Sequence, residues 1–342
     1  MSPDFAELRE LELLIEKARG RLEVAVACEV ESDSQRFPVY ALTLGSPDPA
    51  APAVGFFGGV HGLERIGTRV LLVFLRSLLA RAPWDGALQE LLLSVRLVFM
   101  PLVNPGGMWR SRRANPRGVD LMRNAPLDAR DKPAFLLGGQ RLSALLPWYR
   151  GTAGGEMEAE SQALCRLVER ELLGRRFSLA LDCHSGFGAV DRIWFPYAGS
   201  RRPMPHLPEV HALADLFMDA YPTHNYVVEP QSRQYVAHGD LWDYLYLRSS
   251  EKAGGDGRVF LPLTLEMGSW LWVRKRPTQL LSLEGAFNPK PFHRVQRVLR
   301  RHLIWLEFLI RAAGGHRHWL PTGEERERHR AAAEECWYGA RR

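Results

Sequence analysis

The chain has 342 residues, 46% of them hydrophobic, and its 45 basic residues face 39 acidic ones for a net charge of +6. A chain of this size and composition can bury one large core or two smaller ones, which excludes a disordered polypeptide. The modest charge forms no basic block interleaved with aromatic residues, so we expect no nucleic-acid partner.

The cysteines and the N-terminal segment predict a cytoplasmic protein. The four cysteines are widely scattered and form no C-x-x-C pair, a usage typical of reduced thiols. The first twenty residues carry acidic side chains and lack the apolar centre of a signal peptide. No apolar stretch approaches the length of a membrane span, so we expect no membrane partner. The sequence predicts no particular oligomeric state.

Hydrophobic periodicity predicts strands that alternate with helices along the chain. The predicted strands are Leu22–Val30, Pro38–Leu44, Ala53–Phe57, Arg96–Val103, Phe177–Asp182 and Val259–Leu265. The predicted helices are 4–19, Thr68–Leu79, Glu158–Leu173, Val210–Ala220 and Arg294–Ala312. This alternation is typical of an α/β fold in which a sheet is sandwiched between helices.

The composition changes after Gly314-Gly315, where charges of alternating sign dominate the remaining residues. Such a segment favours a solvated helical or loose appendage over a binding function. We therefore divide the chain into one α/β domain over residues 1–312 and a charged C-terminal appendage over residues 313–342.

Three short motifs contain the residue types of a zinc site. His61-Gly-Leu-Glu64 places a His and a Glu three residues apart, just after a Gly-Gly turn. His184 and Glu266 each follow an apolar run further along the chain. Two imidazoles and one carboxylate bind zinc and leave a coordination position open, while a separate Glu can take a proton from water. Glu266 suits that second task because its apolar neighbours would raise its pKa.

Each motif also has an ordinary structural interpretation. A single His is more often a hydrogen-bonded structural residue than a metal ligand, and His184 could simply bond a nearby carbonyl. Asp182 lies two residues earlier on the same side of the predicted strand, so it could pair with the His184 ring. The set is more specific than its members because every motif falls just past a predicted strand, where open α/β sheets place their sites.

The ordered set of motifs resembles the M14 family of zinc carboxypeptidases, over roughly residues 40–270. The motifs that carry the resemblance are His61-Gly-Leu-Glu64, Asn104-Pro-Gly-Gly, the segment from Arg113 to Asn124, Tyr149-Arg-Gly, Glu156-x-Glu158, His184-Ser, Tyr235-x-Ala-x-Gly and Thr264-Leu-Glu266. The resemblance implies a carboxypeptidase A-like fold with a mixed eight-stranded sheet. It also implies one zinc ion per chain, held by His61, Glu64 and His184.

The resemblance further implies roles for side chains beyond the metal ligands. Glu266 matches the carboxylate that activates the attacking water and later protonates the leaving amine. Arg113 matches the arginine that stabilises the oxyanion, and Arg123 matches the one that grips the substrate's terminal carboxylate. Tyr235 matches the mobile tyrosine that closes over the substrate. Guanidinium groups suit both arginine roles, since they bind carboxylates bidentately and stabilise charge where it develops. An Arg123 that simply pairs with Asp120 is the structural alternative.

Three positions depart from the family pattern. Met122 stands where the family usually has an Asn that helps to hold the terminal carboxylate, and a Met donates no hydrogen bond. Leu63 stands where the digestive enzymes have an Arg. Trp242 occupies the position of a residue that lines the side-chain pocket, although ordinary core packing is an equal alternative. These departures affect the expected substrate and leave the metal chemistry intact.

The sequence therefore predicts a zinc-dependent amide hydrolase, with a metallocarboxypeptidase of small peptides or peptide-like substrates as the preferred function. The alternative with the same chemistry is an N-acyl amino acid deacylase, similar to succinylglutamate desuccinylase and aspartoacylase. An inactive relative kept as a binding module would have lost a ligand or the base. All four of those residues are present in this chain.

Overall fold

A mixed sheet organises the computed structural model of the chain, which describes residues 5–18, 20–224, 226–253, 257–290 and 292–339. The strands of this sheet are β1 (Glu23–Ser32), β2 (Gln35–Gly45), β3 (Ala53–Gly58), β4 (Arg96–Met100), β5 (Phe177–Ser185), β6 (Arg192–Phe195), β7 (Val227–Pro230) and β8 (Val259–Met267). Their order is β1-β2-β4-β3-β5-β8-β6-β7. The four central strands run parallel, whereas β2 and β6 pair with them in the antiparallel sense. The expected mixed eight-stranded sheet is confirmed.

Helices flank this sheet along the described chain. They are α1 (Ala6–Lys17), α2 (Arg65–Arg81), α3 (Gly86–Ser94), α4 (Pro105–Trp109), α5 (Ala159–Glu171), α6 (Leu207–Ala220), α7 (Leu241–Ala253), α8 (Trp270–Lys275), α9 (Leu283–Phe287), α10 (Phe292–Gly314), α11 (His316–Trp319) and α12 (Gly323–Tyr338). Within the described residues, no helix has both the length and the apolar character needed to cross a bilayer.

The central strands are buried on both faces because helices cover each side of the sheet. Every residue of β3, β4 and β5 is buried. Successive side chains of a strand point to opposite faces, and β3 shows the consequence. Phe56 packs against Phe74 of α2, with ring centroids 5.3 Å apart. The next residue, Phe57, packs against Trp242 of α7 at 5.1 Å. Strands enclosed in this way read as continuous apolar runs in the sequence.

Several elements that the sequence did not predict complete the fold. They include the helices α3, α4, α7, α8 and α9 and the short strands β6 and β7. The strand predicted over Arg96–Val103 ends earlier, at Met100, and the helix predicted to begin at Thr68 begins at Arg65.

The sequence predicted a solvated helical or a loose appendage, and the C-terminal segment is helical but packed on the α/β domain. α10 continues through residue 312 to Gly314, so the proposed division falls inside its last turn. Beyond it, His316 of α11 stacks on Phe177 with ring centroids 5.0 Å apart. α12 packs against α6 and buries Ala333 and Trp337. Apolar residues spaced one turn apart gave this charged helix an inner face.

Candidate metal centre and active site

A tight loop after β3 presents the first two candidate ligands. The chain leaves the sheet at Gly58 and turns at Gly59, whose φ of +65° favours a residue without a side chain. A Cβ at Gly62 would lie 2.1 Å from the carbonyl carbon of Gly107, so only glycine allows this close approach. His61 and Glu64 therefore lie in one turn, closed by a hydrogen bond from Glu64 N–H to the His61 carbonyl (3.0 Å).

The side chains of His61, Glu64 and His184 converge on one point. His61 Nδ1 lies 2.9 Å from Glu64 Oε1 and 3.2 Å from His184 Nδ1, and His184 Nδ1 lies 3.0 Å from Glu64 Oε2. Ligands about 2.1 Å from a tetrahedral zinc lie roughly 3.3 Å from one another, so these spacings are close to those of a zinc site. All three residues are buried, and together they could hold a metal ion.

Two further carboxylates orient the imidazole rings. His61 Nε2 lies 3.1 Å from Asp120 Oδ1, and His184 Nε2 lies 2.7 Å from Asp182 Oδ2. A carboxylate behind the ring holds the Nε2 proton and leaves Nδ1 free to bind a metal. The predicted pairing of Asp182 with His184 is present. The role of Asp120 was missed, because in the sequence it attracted attention only as a neighbour of Arg123.

The electrostatics of this cluster favour a bound cation. Burial alone would lower the pKa of His184, but the carboxylates of Asp182 and Glu64 raise it well above its usual value. Burial would raise the pKa of Glu64, yet the two imidazoles hold it below its usual range. Burial would raise the pKa of Asp120, but Arg113, His61 and Arg123 together hold it well below its usual value. Buried carboxylates with imidazole partners are a donor set that a divalent metal would stabilise.

Glu266 lies beside the metal centre on the neighbouring strand. β5 and β8 are parallel, and their register places Glu266 directly opposite His184. Its Oε1 accepts a hydrogen bond from the backbone N–H of Phe187 at 2.9 Å, which fixes the carboxyl group. Burial, and next the nearby charge of Glu64, raise the pKa of Glu266 to about 8. A carboxyl group with a raised pKa can both accept and return a proton.

His61, Glu64, His184 and Glu266 line a cavity of about 390 Å³. Arg113, Met122, Arg123 and Tyr235 also line it. The remaining wall is mainly apolar, aromatic or uncharged polar and includes Leu137, Trp148, Phe187, Trp194, Gln231, Gln234 and Thr264. A concave, largely apolar site with a few converging charged groups is typical of an enzyme site for a small ligand.

The two arginines lie on the same side of the cavity, around Asp120. Arg113 Nε lies 3.0 Å from Asp120 Oδ2, and its Nη1 lies 3.3 Å from Glu64 Oε1. Arg123 lies 3.6 Å from Asp120 and packs over the ring of Tyr235, 5.8 Å from its centroid. Arg123 therefore pairs with Asp120, as the structural alternative predicted, and its side chain also lines the cavity.

Trp242 does not take the position that a pocket residue would need. It is buried among core residues, is not part of the cavity wall, and packs on Phe57. Its indole N–H donates to Asp182 Oδ2 at 3.0 Å. The core alternative is therefore the correct one, and Trp242 reaches the metal centre only through the carboxylate that orients His184.

Comparisons with known proteins place this geometry in a family. A sequence model of the zinc carboxypeptidase family, peptidase M14, matches residues 33–269. The chain is 24% identical to carboxypeptidase D of Anas platyrhynchos over 51% of its own length and 11% of that protein. It is 33% identical to carboxypeptidase E of Caenorhabditis elegans over 43% of its length and 33% of that protein. The chain thus spans a minor part of these curated relatives.

Solved structures show the same fold at low identity. The structure of bovine thrombin-activatable fibrinolysis inhibitor superposes with a TM-score of 0.63 at 19% identity, covering 90% of this chain and 96% of that one. Carboxypeptidase A of Helicoverpa armigera gives a TM-score of 0.64 at 17% identity, covering 89% of this chain and 71% of that one.

Proposed function

Because this chain belongs to the zinc carboxypeptidase family, peptidase M14, we propose that it hydrolyses the last amide bond of small peptides with a free C-terminal carboxylate. The observation that carries the proposal is the shared cavity. It brings the metal-ligating group, the buried carboxyl group of Glu266 and two arginines to one space. Metal, base and anion-binding groups around one cavity are the parts that such a hydrolysis needs.

His61, Glu64 and His184 would hold zinc, with Asp120 and Asp182 fixing the two rings. A zinc ion there supplies Lewis acidity for the scissile carbonyl and for the attacking water. The protein supplies the arrangement of these ligands, since each is buried and bonded before any substrate arrives.

Glu266 takes the proton of the attacking water and passes it to the leaving amine. Its Oε1 accepts a hydrogen bond from Phe187 N–H, and the residue lines the cavity opposite His184 in the strand register. Proton transfer by a positioned carboxylate contributes on the order of 10²–10⁴-fold to a rate. The N–H of Phe187 also keeps the group in place while its charge changes.

Arg113 and Arg123 interact with two different negatively charged groups of the substrate. Arg113 lies beside Glu64 and is therefore near the metal centre, where charge develops on the carbonyl oxygen. Arg123 lies further along the wall beside Tyr235 and is positioned to bind the terminal carboxylate. Asp120 contacts both guanidinium groups and so fixes their separation.

We further propose that the C-terminal residue of the substrate has a side chain without a positive charge. Among the described residues that line the cavity, the acidic ones are Glu64 and Glu266, both required by the chemistry. No further carboxylate in that wall is free to pair with a Lys or Arg of the substrate. Phe187, Trp194 and Thr264 instead offer apolar and aromatic surface, which favours apolar or aromatic side chains.

An Arg123→Ala variant tests this assignment against the deacylase alternative. N-acylated dipeptides and simple N-acyl amino acids are compared as substrates, each as the free acid and as the amide. A carboxypeptidase prefers the dipeptides and their free acids, and Arg123→Ala should lose the preference for the free acid, with KM rising more than kcat falls.

The matched control is Arg117→Ala, because Arg117 is 78% exposed and lies outside the cavity. It should behave as the parent does. Faster cleavage of the N-acyl amino acids, or an unchanged preference in Arg123→Ala, would contradict the proposed function.

A further inference from the structure

A second group of histidine and carboxylate side chains lies where the C-terminal helix packs on the α/β domain. His211 and Asp215 lie one turn apart on α6, and His329 reaches them from α12. His211 Nδ1 lies 2.9 Å from His329 Nδ1 and 3.2 Å from Asp215 Oδ2. His329 Nδ1 lies 3.8 Å from the same carboxylate oxygen. Three donor atoms from two helices thus face one another.

The spacing of these atoms matches a metal site. Ligands about 2.1 Å from a tetrahedral ion lie roughly 3.3 Å apart, and the three distances here, 2.9, 3.2 and 3.8 Å, bracket that value. A hydrogen bond between the two imidazole rings would join only His211 and His329 and would not include Asp215. A metal ion would instead engage all three groups at once.

The charged side chains around the cluster are also compatible with a bound cation. Within the described residues, Asp215 has no Lys or Arg at ion-pair distance. The nearby arginines of α12 are engaged elsewhere, Arg326 by Glu209 and Arg330 by Glu327.

We propose that His211, Asp215 and His329 bind a divalent transition-metal ion, with zinc preferred, and that this ion fastens α12 to α6. Two imidazoles and one carboxylate are zinc ligands, and the soft thiolates that other metals favour are absent from this group. The side chain of Asp215 is 43% exposed, so water has access to the remaining coordination position. That exposure also makes this site weaker than the buried metal centre.

A metal at this position would brace the wall of the cavity. Near the end of α12, Trp337 packs on Phe195 at 4.7 Å, and Phe195 follows Trp194 of the cavity wall. Arg233 donates a hydrogen bond to the Cys336 carbonyl at 3.0 Å and directly precedes Gln234, another wall residue. The second ion is therefore structural: it holds the helix that backs one side of the cavity.

The zinc content of four full-length variants tests the proposal. Parent, His329→Ala, Asp215→Asn and the control His318→Ala are equilibrated with micromolar free zinc and analysed for bound metal. His318 is an exposed histidine of α11 outside the cluster. We expect about two zinc ions per chain in the parent and the control, and about one in the other two variants.

A His184→Ala variant separates this site from the active site. It should lose one zinc ion and retain the other, and added zinc should still raise its melting temperature by a few degrees. Combining His184→Ala with His329→Ala should abolish that rise. One zinc per chain in the parent, or two in His329→Ala, would overturn the proposed second site without affecting the proposed hydrolase function.

Discussion

The two His–His–carboxylate clusters contain the same donor types and differ in their surroundings. At the edge of the sheet, the side chains of His61, Glu64 and His184 are only 3–5% exposed. Between α6 and α12, the side chains of His211, His329 and Asp215 are 14, 22 and 43% exposed. Burial raises the cost of leaving such groups without a partner, so the first cluster depends more strongly on its metal.

Because of this difference in surroundings, we assign catalysis to the buried cluster and metal binding alone to the cluster on α6 and α12. The buried cluster has Asp120 and Asp182 behind its rings, Glu266 beside it and a cavity in front of it. Among the described residues, the cluster on α6 and α12 has no comparable base or cavity. Donor atoms alone make a metal site, whereas orienting carboxylates, a proton carrier and a substrate space make an active site.

The largest expected effect concerns Glu266, which distinguishes the active cluster most clearly. Glu266→Gln keeps the size of the side chain and its bond from Phe187 N–H but removes the proton acceptor. We expect turnover to fall on the order of 10²–10⁴-fold with zinc content unchanged. Steady-state kinetics with elemental analysis measures both quantities. A turnover within about threefold of the parent would show that Glu266 is not the base.

A smaller effect is expected from the carboxylate behind His184. Asp182→Asn keeps an acceptor for the Trp242 indole but weakens the orienting charge, so zinc affinity should fall roughly 10–100-fold. Competition with a metal chelator measures the dissociation constant. The control is Asp219→Asn, at an exposed residue of α6, and it should change neither site. An unchanged zinc affinity in Asp182→Asn would show that the carboxylate behind His184 does not strengthen metal binding at the active site.

The smallest of these effects concerns Met122, which lines the active-site cavity and stands where the family usually has an Asn. An amide there could donate to the substrate carboxylate beside Arg123, and such a bond to a charged group contributes roughly 1.5–3 kcal/mol. Met122→Asn should therefore tighten binding of free-acid substrates about tenfold or more, measured as a lower KM or inhibition constant. Weaker binding would mean that Met122 shapes the cavity for a different ligand.

The sequence predicted the centre of the fold well because burial simplifies its pattern. β3, β5 and β8 lie between two helical layers, so each reads as an apolar run that ends at a functional residue. The glycines around His61 and the register of His184 and Glu266 then follow from that arrangement. The metal ligands could be predicted because they lie at strand ends, where chain order and spatial order agree.

The elements at the edges of the fold were harder to predict from the sequence. β6 and β7 have four residues each, too few to show a period. α7 begins beside Asp240, whose carboxylate accepts from the N–H groups of Trp242 and Asp243 at 2.9 and 3.0 Å. Asp is a preferred N-cap residue, so Asp240 was a signal in the sequence for the start of this helix.

Contacts between distant segments could not be predicted from one sequence. Asp120 and His61 are 59 residues apart, and His211 and His329 are 118 residues apart. No local pattern links either pair, so only the folded arrangement brings them together. The charged composition of α12 concealed its inner face in the same way, because two buried residues, Ala333 and Trp337, carry the packing.

The most direct test of the central claim is the release of the C-terminal residue from one peptide in two forms. The zinc-loaded parent protein is incubated with an N-blocked peptide that ends in an aromatic residue, once as the free acid and once as the C-terminal amide. Because Arg123 lines the cavity beside the metal centre, we predict that the free acid is cleaved and that cleavage of the amide is slower by about tenfold or more. Equal cleavage of both forms, or cleavage of neither, would contradict the assignment as a carboxypeptidase.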